Sequence, residues 1–177
     1  MDIHKQLLKR HSKENTRLIT EYIGNDPERY ASLMRIFNEE GWVAVQRGAW
    51  VVSEVGMKYP ELLIPHLDDL ISAVEAPPHP AIARNGLKVI AETNISLTED
   101  QQGRVVQLSF ELLADPKTPV AIHVYSMQCI ANLLPVYPDL AIELKTLIEE
   151  GMEHGSPGYL SRGRKILKQI AKMKLQH

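Results

Sequence analysis

The chain is poor in cysteine: Cys129 is the only one in 177 residues, so no internal disulfide framework exists, and a reducing compartment, the cytoplasm, is expected. The opening segment MDIHKQLLKR is polar and lacks the apolar stretch of a secretory signal. No apolar run approaches the roughly 20 residues that cross a bilayer, so no membrane association is expected. Long apolar–polar alternation is missing, as is an Asn-Gly hairpin between such runs, which argues against a sheet. There is no glycine-rich phosphate loop. The seven histidines are scattered with no HExxH spacing. His66 and Asp69 share a helix face, but two ligands alone do not make a metal site, and no metal or cofactor is expected. Cys129, between Met127 and Ile130, reads as a buried structural thiol.

Charge is present but unevenly spread. Residues 1–24 hold five basic and three acidic side chains; residues 25–155 hold nine basic and nineteen acidic, net −10. Residues 156–177 hold Arg162, Arg164, Lys165, Lys168, Lys172 and Lys174 and no acid. The middle would repel a phosphate backbone and the last helix would attract one, so those six cations are the candidate contacts for a nucleic acid; the alternative is a solvated helix face.

Helix signals dominate what is there. Asp26 before Pro27 and Ser156 before Pro157 read as N-caps followed by proline at the first helical position. Thr98 with Gln101 reads as a capping box. Turn residues such as Ala76-Pro77-Pro78-His79-Pro80 separate segments of ordinary helix length. Tyr59-Pro60-Glu61-Leu62 recurs as Tyr137-Pro138-Asp139-Leu140, and each phrase is expected to open a helix, over Pro60–Glu75 and Pro138–Glu153. Pro65 lies inside the first of these and should bend it. The segments RGAWVVSEV, NGLKVIAET, YSMQCIANL and RGRKILKQI start at Arg47, Asn85, Tyr125 and Arg162, in steps of 38, 40 and 37 residues. A period near 40 marks a helical solenoid. The second residue of each is small (Gly48, Gly86, Ser126, Gly163), and close packing of one repeat on the next is expected to offset the roughly 0.5–1 kcal/mol that a helical glycine costs.

The Tyr-Pro-acid-Leu opening, the helix after it, the proline-marked turn and the small-residue second helix resemble HEAT repeats, of the sort also found in adaptin-like and armadillo-like solenoids. The resemblance runs over roughly Asp26 to Met173. It implies an all-α, right-handed α-α superhelix of four to five helical hairpins. A single domain over 1–177 is expected, with hairpins at 26–58, 60–94, 98–135 and 138–174 and a partial or capping unit over 1–24. In that unit Leu18, Ile19, Tyr22 and Ile23 would face inward.

In HEAT-like stacks the second helices generally line the concave side. The resemblance therefore implies a non-catalytic scaffold that binds another protein there, through Arg47, Trp50, Glu54, Arg84, Lys88, Glu92, Tyr125, Gln128, Arg162 and Lys165. Helical spacing also puts Asn85, Asn132 and Gln169 on that face. Trp, Tyr and Arg are favoured interface anchors, although Trp50 could instead fold over a neighbouring helix. The alternative resemblance is to HEAT-like DNA alkylation-repair glycosylases, with Trp50, Glu54, Arg84 and Arg162 imitating their aromatic, carboxylate and basic groups. The acidic middle argues against it. A third reading is a self-associating structural module.

Overall fold

Several helices begin where a side-chain oxygen takes a backbone N–H that the first turn leaves open. In the computed structural model Asp2 Oδ1 accepts from Lys5 N at 3.0 Å and Ser12 Oγ from Asn15 N at 3.1 Å. Asp26 Oδ1 accepts from the amides of Glu28 and Arg29, at 3.0 and 3.1 Å. The Thr98–Gln101 capping box closes in both directions, at 3.3 and 3.1 Å. Residues 1–39, 41–76 and 79–174 are described, without the side chains of residues 38, 39, 42 and 174. The expectations placed on Glu40, Pro77, Pro78 and the Lys174 side chain lie outside them.

The described residues are all-α and fall into two compact units, Met1–Ser96 and Leu97–His177. The first contains α1 (Ile3–Lys9), α2 (Lys13–Ile23), α3 (Pro27–Glu39), α4 (Trp42–Lys58), α5 (Leu67–Glu75) and α6 (Pro80–Glu92). Helix α4 is its centre, packed by α1, α2, α3 and α6. The second contains α7 (Glu99–Ala114), α8 (Val120–Leu133), α9 (Leu140–Met152) and α10 (Pro157–Lys174). There α8 packs on α7, α9 and α10 around Met127, Ile130, Leu144, Ile148 and Ile166.

Three expectations are corrected. The continuous helix over Pro60–Glu75 does not form. Two 3₁₀ turns, Pro60–Leu62 and Ile64–His66, precede α5, because Pro65 has no N–H to give and its ring excludes the carbonyl four residues back. Likewise Pro138 lies in a turn and α9 starts at Leu140. The repeated phrase is thus the turn that delivers a first helix. Second, α2 turns Thr16, Ile19 and Ile23 inward, spaced three and four apart, which leaves Leu18 exposed at 45% and Tyr22 only half-buried.

The third correction concerns the glycines. A Cβ on Gly48 would stand 3.7 Å from Leu7 and 3.8 Å from Leu33, which is ordinary contact. A Cβ on Gly86 would overlap Val74 Cγ2, and one on Gly163 would come within 3.0 Å of Ile148 Cγ2. Val74 and Ile148 sit on α5 and α9, the first helices of the same hairpins. At these two repeat positions the close approach is therefore within the hairpin and not between repeats. The between-hairpin glycine is Gly56, whose Cβ would meet Val89 Cγ2 of α6 at 2.8 Å.

Candidate partner-binding surface

In the first unit the second helices α4 and α6 lie side by side. Lys88 Nζ reaches Glu54 Oε1 at 3.2 Å across them, both side chains remaining partly exposed. Such a pair contributes roughly 0–1 kcal/mol. Arg84 and Glu92 are exposed on α6. Trp50 is half-buried, its ring 6.0 Å from that of His11, so it neither stands free nor joins the core. Arg47 is committed to structure: Nη1 donates to the carbonyls of Leu7 and Leu8, both at 2.9 Å. These are late carbonyls of α1 that lack a partner within that helix, so Arg47 caps its C-terminal end.

Asn85 does not face outward as its spacing suggested. It is 4% exposed; its Nδ2 donates to Ala81 O at 2.8 Å, and its Oδ1 accepts from Ser53 Oγ at 3.1 Å. A polar bridge inside the α4–α6 contact was missed in the sequence. Its only signal was Ser53, a hydroxyl at a buried helical position between Val52 and Val55.

In the second unit α8 and α10 pair in the same way. Arg162 Nη1 donates to Gln128 Oε1 at 2.6 Å, and Gln128 Nε2 donates to Asn132 Oδ1 at 2.7 Å. Gln169 Nε2 donates to Ala131 O at 3.0 Å. Tyr125 is half-buried and Lys165 exposed. Each unit thus carries two adjoining second helices tied by polar side chains. Both the Glu54–Lys88 and the Gln128–Arg162 bridges join residues 34 apart, about one helical turn short of the 38- and 37-residue steps of the sequence repeat.

The profile of the HEAT repeat domain matches residues 3–170, nearly the whole chain. The chain belongs to the HEAT-repeat family. HEAT repeats generally mediate protein–protein interaction and are typically non-catalytic. No protein of curated function and no solved structure matches this HEAT-repeat chain. The match begins at Ile3 and so takes in α1 and α2.

Among the described residues no three His, Cys, Asp or Glu side chains are grouped to hold a metal ion, and no helix is long and apolar enough to cross a membrane. Cys129 is buried. His66 sets its ring edge-on to Tyr30 at 5.8 Å, and burial lowers its pKa against the opposing pull of Asp69. Tyr30 is buried, donates to Val52 O at 3.3 Å and has its pKa raised by desolvation. Both side chains sit in packing between helices.

Proposed function

We propose that this HEAT-repeat protein is a non-catalytic module that captures a protein partner on the outward faces of its second helices. In the first unit the anchors are Trp50, Arg84, Lys88 and Glu92; in the second they are Tyr125, Gln128, Arg162 and Lys165. The observation that carries the reading is the paired, side-chain-bridged arrangement of α4 with α6 and of α8 with α10. Long side chains already held in place lose less freedom on binding. The net −10 charge of residues 25–155 weighs against base excision, because an acidic body repels a phosphate backbone.

Capture from a lysate tests the reading, with nuclease-treated and untreated arms. The bait is wild type beside Trp50→Ala/Arg84→Glu and beside Arg84→Glu/Glu92→Lys, whose two positions are exposed, with the folding of each variant checked by circular dichroism. A partner that resists nuclease and is lost from both variants supports the proposal. A partner retained by both folded variants overturns it. Arg47 is excluded from the test because its loss would loosen α1.

One observation favours a second reading, nucleic-acid binding. Arg164, Lys165, Lys168 and Lys172 are exposed on α10 and have no ion-pair partner among the described residues. Capture that vanishes with nuclease, and affinity that falls steeply with salt, would support it.

A further inference from the structure

The two copies of the Tyr-Pro-acid-Leu phrase have different surroundings. At the first, Lys58 precedes the tyrosine, and its Nζ stands 5.3 Å from the centre of the Tyr59 ring. At the second, the preceding residue is Val136. Among the described residues no cation covers the Tyr137 ring, which is 37% exposed, and Val136 is 62% exposed. The Tyr137 hydroxyl donates to Gln102 Oε1 at 2.7 Å, which fixes the ring against α7.

Beside that ring lies an open groove of about 470 Å³ between the N-terminal half of α7 and the α8–α9 turn. Val106, Val136, Tyr137 and Leu140 give it an apolar lining. Gly103 widens it, since a Cβ there would meet nothing within 4 Å. Glu99 and Asp139 also line it, and no lysine or arginine does. Neither carboxylate has an ion-pair partner among the described residues, and Asp139, although at the N-cap of α9, makes no capping bond. Exposed apolar side chains beside unpaired carboxylates and an uncovered aromatic face form a receptor for an apolar side chain flanked by a cation.

We propose that this groove docks a basic peptide segment of a partner protein. An apolar side chain enters between Val106 and Leu140, and a neighbouring lysine or arginine lies over Tyr137 between Glu99 and Asp139. The partner supplies here the cation that Lys58 supplies at Tyr59. The site lies on the first-helix side of the second unit, so it stands independently of the second-helix faces proposed above.

The test is selection of a displayed library of random short peptides on the full chain, followed by affinity measurement on the wild type and on Glu99→Gln/Asp139→Asn. Both substitutions are near-isosteric and at exposed positions. Enriched peptides should join lysine or arginine to an apolar residue and lose at least about tenfold in affinity on the double variant. Tyr137→Ala should weaken them as well, whereas Glu61→Gln, at the first copy of the phrase, and Arg84→Glu should not. An enriched set without basic residues, equal affinity for the double variant, or no enrichment over a blank surface would each overturn the proposal.

Discussion

Ser53 Oγ and Asn85 Oδ1 meet at 3.1 Å in the buried contact between α4 and α6. The donation of Asn85 Nδ2 to Ala81 O sets which way the amide faces, so Oδ1 must be the acceptor and Ser53 the donor. The single hydroxyl proton is shared with Trp50 O, also at 3.1 Å. Ser53→Ala leaves Oδ1 buried without its donor, and the expected cost is about 1–3 kcal/mol. Asn85→Ala added to Ser53→Ala should cost clearly less than the sum of the two single changes. Urea unfolding of the four chains of this cycle measures the coupling; strict additivity would mean that the bond contributes nothing.

Gly86 and Gly48 occupy equivalent repeat positions yet should respond to alanine in opposite directions. At Gly86 the new methyl overlaps Val74, a β-branched side chain with little freedom to turn aside, and overpacking of this kind costs about 1–3 kcal/mol. At Gly48 the methyl fits, and relief of the glycine's backbone entropy should stabilise by about 0.5–1 kcal/mol. Thermal melts of the two single variants decide this, with Gly48→Ala expected above wild type and Gly86→Ala below.

His66 gives the fold a dependence on acid. Desolvation lowers its folded-state pKa from the ordinary 6.5, with Asp69 acting against the shift. The fold therefore prefers the neutral ring. The contribution is fully present above pH 6.5 and is lost as pH falls from there through the folded-state pKa. His66→Gln should flatten the stability profile on the acid side of pH 6.5 relative to wild type. Chemical denaturation across that range is the measurement, and parallel profiles would contradict the assignment.

Much of the architecture was legible because helix starts are local chemistry. Asp26, Ser156 and the Thr98–Gln101 box act within a turn or so of their own position, and a period near 40 residues is visible without any contact. Inward faces were legible where the apolar stripe was clean, as at Val45, Ala49, Val52 and Val55. Leu18 and Asn85 were misplaced for the same reason: helical spacing gives an angle around the axis but not how wide the neighbour is. Leu18 lies just beyond the contact made by Ile19 and Ile23. Asn85 falls inside the α4–α6 contact, because α6 is covered by both α4 and α5.

The sequence alone determined the all-helical class, the hairpin repeat and the helix caps, since these follow from backbone preference and side-chain periodicity over short distances. Tertiary structure decided the rest. It turned Arg47 from a surface cation into a cap for α1, placed the close approach of Gly86 and Gly163 inside their hairpins, and made two near-identical phrases unlike, with Lys58 over Tyr59 and a bare groove beside Tyr137. Each of these depends on which atoms of distant segments meet, and periodicity along one helix carries no information about the side chains of another.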